Sequence, residues 1–499
     1  MDSAAIRVGV VSFSHAPVYA STGAREQFVR RETAALAALL EGAGMQVVQP
    51  LERLRASGTH DRYGISTAAD LEFCTQALRD AGVDCLVASV AQWPRIALIS
   101  TLVSELGVPS ALYASTHPDS VGEVTAGAAA ASILESARGR EALLVERFRD
   151  TEPERLLVWL RGAGALRRMR RGRLLMWGGA FGADVPCTRD DEAALEGLLV
   201  REILSEQEIV LVEGARRIVR DQAERVDRFL AWLRGHGATI TMDGRMLTEE
   251  ALRFSVGHYL AAKDRLASLA DENILGTSVK CHFETSTDCV GCTLCLVPGF
   301  LPFGEDAEGP RPAVPVACEG DLKALLTMVM LQQLVPSVPP LFGDTIWFRK
   351  GSTLLSNCGS SSVWWAGRSG NPREALARVS LLPQLHGRSG STVFYVTPPG
   401  PVTYARLYRV RRRYFMYLGA GVVPRCAAID RAPGWPQTQV DFGTDPYLLY
   451  ATSPSNHGCL TDGDVTAEVE AFCRLAGIAV VRCDREESLK RHLEERAAT

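Results

Sequence analysis

The sequence predicts an α/β protein: two Rossmann-like parallel-sheet domains followed by a β-rich C-terminal domain. Three observations carry this prediction. The chain has 499 residues, more than a single hydrophobic core usually supports. Its first third alternates short apolar runs with stretches of helical periodicity, the pattern of a parallel sheet covered by helices. After Pro339 that pattern gives way to short runs rich in Val, Tyr, Trp and Thr, separated by Gly and Pro. The expected domains are residues 1–171, 172–340 and 341–499.

Taken in order, residues 6–13 (IRVGVVSF) read as a buried strand, and residues 25–42 form a helix stopped by Gly42. Helices at 71–81 and 96–106 alternate with strands at 85–90 and 110–113. A ligand crevice is expected at the carboxyl ends of those strands, and Trp93 and His117 fall just past them. A helix-rich, Arg-rich stretch covers residues 125–170, and the segment RLLMWGGAFGAD at 173–184 opens the second α/β domain. Gly178, Gly179 and Gly182 could approach a phosphate at a helix N-terminus. Their spacing is not GxGxxG and no GKS/T follows, so tight packing is the simpler reading. Residues 247–271 form an amphipathic helix. In the third domain, residues 345–348, 392–396 and 406–418 read as antiparallel strands, PYLLYA (446–451) as a further strand run, and 465–476 and 478–482 as a closing helix and strand.

Composition narrows the function classes. Apolar residues make up 46% of the chain and charged residues 22%, a globular profile rather than a disordered one. The net charge of −4 gives no field that would attract nucleic acid or an anionic membrane surface. No run of about 18 uncharged apolar residues suggests a membrane span. The N-terminal segment lacks the features of a signal peptide. The 13 cysteines are scattered, several at apolar positions (Cys74, Cys85, Cys473), which suits reduced thiols and a cytoplasmic location.

Four groups of residues could carry chemistry. Cys289, Cys292 and Cys295 have a spacing that can wrap around zinc or part of an iron–sulfur cluster, with Cys281, His282 or Cys318 as a fourth ligand. The alternative is a buried segment that uses cysteine as a small apolar residue. Glu319 and Asp321 open an apolar helix in ACEGDLKALLTMVMLQQL, where negative charge caps a helix N-terminus. Glu319 also follows the apolar run AVPVAC, which places it at a strand's carboxyl end. Asp344, in LFGDTIWF, has apolar neighbours on both sides, and an isolated carboxylate in such surroundings needs a partner or a cation. His457, in the loop after PYLLYA, would complete a set of two carboxylates and one imidazole that suits Mn²⁺.

Taken together, ACEGDLKALLTMVMLQQL (317–334), LFGD (341–344), NCG (357–359) and SNHGCLTDGD (455–464) resemble the L-fucose isomerase and L-arabinose isomerase superfamily. The resemblance implies a homo-oligomer, a hexamer or trimer, and a divalent cation, Mn²⁺ or another, bound by Glu319, Asp344 and His457. It implies that Glu319 and Asp344 move the protons, and that Asn456 and Asn357 contact substrate. Arg25, in GAREQ, is similar to a substrate-pocket arginine, and Trp93 to an aromatic contributed by a neighbouring subunit. The implied activity is aldose–ketose isomerisation of an open-chain sugar or sugar-like hydroxy-carbonyl through an enediolate. The chain departs from the pattern at Asn357, where the less-studied relatives commonly carry histidine in HCG. That departure leaves open a second expectation: the same fold and metal used for epimerisation, dehydration or carbon–carbon cleavage.

Overall fold

The computed structural model describes residues 5–56, 61–137, 144–180, 185–287, 289–349, 352–385, 389–429 and 434–497. The chain divides into two compact units, residues 1–168 with 467–477, and residues 169–466 with 478–499. The architecture is mixed α/β, with two parallel sheets and a β-rich C-terminal region. No helix among the described residues is long and apolar enough to cross a membrane.

The first unit contains β1 (Arg7–Ser12), α1 (Gly23–Gly42), β2 (Gln46–Val48), α2 (Pro50–Arg55), α3 (Ala68–Asp80), β3 (Cys85–Val90), α4 (Ile96–Leu106), β4 (Ser110–Ala114), α5 (Gly122–Ser136), β5 (Val145–Arg149) and α6 (Pro153–Met169). The strands form one parallel sheet in the order β2-β1-β3-β4-β5, with Val10 opposite Val87 and Val87 opposite Ala111. Strands β3 and β4 are buried at every position, which is why their sequences, CLVASV and SALYA, are continuous apolar runs rather than alternating ones. Strand β5 lies inside the stretch expected to be helix-rich. It is an edge strand, VERFR, with only Phe148 buried, and so carries no apolar run. Strand order reverses between β1 and β3, and the crevice beyond their carboxyl ends is the natural ligand position in such a sheet.

In the second unit, β6 (Arg173–Trp177), α7 (Glu192–Leu198), β7 (Glu202–Glu206), α8 (Ile209–Asp221), α9 (Ala223–Gly235), β8 (Thr239–Ile240), α10 (Glu249–Ala267), β9 (Ile274–Val279), α11 (Leu296–Phe300), β10 (Glu305–Asp306), β11 (Gly309–Pro310), β12 (Val316–Ala317) and α12 (Leu322–Leu334) come first. Four of these strands form a parallel sheet, β12-β9-β6-β7. Every residue of α12 from Leu322 to Leu331 is buried, as expected of a helix that is apolar on all sides. Gly182 lies outside the described residues.

The expected boundary at residue 340 falls inside this unit, where the chain passes from α12 into a barrel. The elements there are β13 (Leu341–Arg349), β14 (Ser352–Ser356), α13 (Trp364–Gly367), α14 (Pro372–Leu376), β15 (Ser380–Pro383), β16 (Ser391–Phe394), β17 (Gly400–Val410), β18 (Arg413–Val423), β19 (Thr438–Asp441), α15 (Pro446–Thr452), β20 (His457–Asp462), α16 (Thr466–Ala476), β21 (Ala479–Arg482) and α17 (Glu486–Ala497). Six strands run antiparallel in the order β17-β20-β13-β14-β19-β18 and close through β17–β18, and β21 adds in parallel to β18. Nearly all of α16 belongs to the first unit.

Three local expectations change. Residues 406–418 are not one strand but the end of β17, a turn at Arg411 and Arg412, and the start of β18, since Arg411 takes φ +55. PYLLYA is not a strand but most of helix α15, because Asp445 caps it by accepting from the Tyr447 N–H at 2.7 Å and Pro446 suits the first helical turn. His457 is not in a loop but begins β20.

Candidate metal centre

Two pieces of backbone geometry assemble the site. In the parallel sheet, Ala317 of β12 is registered with Ser278 of β9, and the Gly320 N–H donates to the Val279 carbonyl at 3.0 Å. The loops that follow β9 and β12 therefore leave the sheet side by side, one carrying His282 and the other Glu319. In the barrel, Asp344 of β13 is directly opposite His457 of β20 and, on its other side, Ser356 of β14. Cys358 follows Ser356 by two residues. Gly458, next to His457, must be glycine, since a Cβ there would meet the Tyr404 ring at 2.3 Å. Glu319 itself has φ +58 and is followed by Gly320 at φ +62, so the CEGD segment turns through two left-handed residues. A non-glycine residue in that region costs about 1–2 kcal/mol, a strain held here at the centre of the site.

The structure brings Glu319, Asp344 and His457 together, with one donor atom of each within 4.8 Å of the others. The His457 Nε2 is 3.3 Å from Glu319 Oε2 and 3.3 Å from Asp344 Oδ1. His457 is fully buried, and its Nε2 makes no hydrogen bond of good geometry. The other ring nitrogen is fixed: Nδ1–H donates to Asp321 Oδ2 at 2.7 Å, and the same carboxylate oxygen is 2.8 Å from Arg406 Nη1, with Asp321 and Arg406 both fully buried. Asp321 also caps α12, accepting from the Ala324 N–H at 2.9 Å. The capping role read from the sequence thus belongs to Asp321, whose second oxygen orients the histidine. Nothing in the local sequence marks that second role or Arg406, because the one depends on strand β20 and the other on strand β17 passing the start of α12.

The electrostatics favour positive charge at Nε2. Burial alone disfavours the imidazolium of His457, but Asp321, Asp344 and Glu319 outweigh it and raise the histidine well above its ordinary range. Burial pushes the Glu319 carboxyl up, yet His457, His282 and Cys358 bring it below the usual range. Asp321 behaves likewise: burial opposes its charge, and Arg406 and then His457 hold it strongly acidic.

Of the other expected site residues, Asn456 is exposed and its Nδ2 donates to Asp344 Oδ1 at 3.2 Å. Asn357 is buried, and its amide is used within its own turn, donating to the Ser360 carbonyl and accepting from the Cys358 N–H at 2.9 Å. Arg25 and Trp93 lie in the first unit, at the β1/β3 crevice. There the Trp93 N–H donates to His15 Nδ1 at 3.3 Å, and Arg25 Nη1 is 3.2 Å from His15 Nε2. Gln92 joins them, accepting from the His15 N–H at 3.0 Å and donating to the Arg25 carbonyl at 3.2 Å. His15 and Gln92 were not singled out by the sequence, although each follows a buried strand by two or three residues.

The three spaced cysteines have separate surroundings. Cys289 is exposed, Cys292 contacts Ser255 Oγ at 3.4 Å, and Cys295 accepts from Gln384 Nε2 at 3.0 Å. Among the described residues they form no ligand cluster. All thirteen cysteines are free thiols. No known protein family and no curated protein matches the chain.

Proposed function

We propose that this protein is a divalent-metal-dependent aldose–ketose isomerase acting on an open-chain sugar or a sugar-like hydroxy-carbonyl. The observation that supports it most strongly is the buried Nε2 of His457, which makes no hydrogen bond of good geometry and is held 3.3 Å from one oxygen each of Glu319 and Asp344. Donors around one ion at 2.0–2.2 Å in tetrahedral or octahedral array lie about 3–3.5 Å apart, so these spacings fit a ligand set for a cation. One nitrogen and two carboxylates are the donors that Mn²⁺ takes. The motif resemblance to sugar isomerases points the same way.

A divalent cation bound there supplies positive charge against the oxyanion that develops when a proton leaves the carbon beside a carbonyl. The remaining work falls to the chain. Glu319, kept ionised by its neighbours, accepts the proton from one carbon and returns it to the neighbouring carbon, while Asp344 across the site moves the hydroxyl proton from one oxygen to the other. Asp321 and Arg406 hold the imidazole so that Nδ1 keeps its proton and Nε2 faces the two acids. Asn456, bonded to Asp344 and open to solvent, offers its amide to a substrate oxygen. In this reading the protein is a homo-oligomer, trimer or hexamer, Arg25 is a substrate contact, and Trp93 is an aromatic contributed to a neighbouring subunit.

The test is solvent exchange. Manganese-loaded protein is incubated in D₂O with a panel of pentoses, 6-deoxyhexoses and their ketoses, and the carbon beside the carbonyl is followed by NMR. Deuterium at that carbon with formation of the partner sugar, abolished by a chelator, is the expected result. Exchange without isomerised product would move the assignment to another enediolate reaction, and no exchange with metal bound would remove the reading.

A further inference from the structure

The geometry points to a second cation site, built from His282, Glu319 and Cys358, that shares the Glu319 carboxylate with the first and takes a softer metal such as zinc. It rests on the proposed isomerase centre through that shared residue. The two oxygens of Glu319 face different donors. Oε2 lies on the His457 side, whereas Oε1 accepts a hydrogen bond from the Cys358 thiol at 3.4 Å and is 3.9 Å from His282 Nε2. Cys358 Sγ and His282 Nε2 are 3.8 Å apart, and the three donors fall within 4.8 Å of one another. Tetrahedral ligands at zinc distances, with sulfur at 2.3 Å and nitrogen or oxygen at about 2.0–2.2 Å, stand about 3.4–3.6 Å from each other. The Cys358–Glu319 spacing matches that, the other two are slightly longer, and 3.9 Å is too long for Glu319 and His282 to be a direct hydrogen-bonded pair.

The donor chemistry differs from that of the first site. A thiolate and an imidazole beside one carboxylate oxygen suit zinc or cobalt, while two carboxylates and an imidazole suit manganese. Three protein ligands leave a position free, and a small cavity lined in part by Cys281, Cys295, Cys318 and Asn357 adjoins two of them, His282 and Cys358. The backbone supports the placement independently. His282 is presented by the loop after β9, where buried Glu208 accepts the N–H groups of Lys280 and Cys281 at 3.0 Å each. Cys358 is presented by the turn after β14 that Asn357 closes.

Cobalt distinguishes the two sites, because thiolate ligation adds a near-ultraviolet charge-transfer band that oxygen and nitrogen ligation lacks. The full chain, stripped of metal and kept reduced with a phosphine, is titrated with Co²⁺ while absorbance and bound metal are measured. The expected result is two equivalents per chain with the charge-transfer band. Cys358→Ser, and separately His282→Gln, should each lose the band and one equivalent while keeping the other, with unchanged circular dichroism. His457→Gln should keep the band and lose the remaining equivalent. Cobalt bound without the band, or a band that survives Cys358→Ser, overturns the second site and leaves the first standing. Failure to bind cobalt at all overturns both.

Discussion

Replacing Asp321 by Asn tests how the site is held together. The substitution keeps the shape and the cap on the Ala324 N–H, and removes one negative charge from between two buried partners, Arg406 at 2.8 Å and the His457 ring at 2.7 Å. Arg406 is then a fully buried guanidinium without its carboxylate, and breaking a buried pair in this way costs about 3–5 kcal/mol. The imidazole loses the acceptor that fixes its tautomer, which lowers metal affinity by about 10–100-fold. Asp321 has its acidity strengthened in the folded state, so its contribution to stability is present above the unfolded carboxylate range and is lost only as pH falls through its lower folded value. Neutral and mildly acidic conditions therefore do not mimic the variant. Urea unfolding of the metal-free proteins gives the stability change, and calorimetric Mn²⁺ titration at pH 7 gives the affinity. The double variant Asp321→Asn with Arg406→Met should recover most of the stability, since no lone buried charge remains, and none of the metal affinity. Asp321→Asn with stability within about 1 kcal/mol of the natural protein and unchanged Mn²⁺ affinity would mean that Asp321 neither neutralises Arg406 nor orients His457.

Three further outcomes are expected. Glu319→Gln and Asp344→Asn should each lower turnover by about 10²–10⁴-fold in folded protein, and a steady-state assay that finds most activity retained would take that acid out of the mechanism. His258 is wholly buried, neither ring nitrogen has a hydrogen-bond partner, and burial, with the charge of Arg216, lowers it to about 3. Its neutral form stabilises the fold above the unfolded value of 6.5, and this is lost as pH falls, by about 2 kcal/mol at pH 5; His258→Phe should remove that part of the acid sensitivity, so parallel pH–stability curves for the two proteins would contradict it. Asn357→His breaks two hydrogen bonds in a buried turn and should lower stability by about 1–3 kcal/mol, read as a fall in Tm that is absent if those bonds carry no weight.

Strands buried on both faces were legible because burial leaves a continuous apolar run: CLVASV, SALYA and RLLMW each coincide with a parallel strand. The C-terminal region was legible as antiparallel β structure, but not as a closed barrel. Closure depends on β17 pairing with both β18 and β20, and the second of those partners is about fifty residues away in sequence. The segment at 406–418 reads as one run although it is two strands, because Arg411 and Arg412 at the turn carry no glycine or proline signal and Arg411 takes φ +55 nonetheless. PYLLYA misled because a short apolar run does not distinguish strand from helix, and its capping aspartate decides the matter. Glu319, Asp344 and His457 could be singled out from their surroundings and motifs. Their convergence could not, since it follows from the pairing of Asp344 with His457 and from the loop geometry after β12. His282 was weighed only as a partner for the spaced cysteines, whereas its imidazole approaches Glu319 and Cys358.

In the proposed mechanism Glu319, Asp344 and His457 hold one catalytic divalent ion. Pulsed electron paramagnetic resonance of Mn²⁺ bound to the full chain tests it most directly, because a directly bound imidazole nitrogen leaves a hyperfine signature on the manganese. The expected result is one strongly coupled nitrogen, lost in His457→Gln, with weaker Mn²⁺ binding in Glu319→Gln and Asp344→Asn. Bound manganese with no coupled nitrogen, or a nitrogen signal unchanged in His457→Gln, would contradict it.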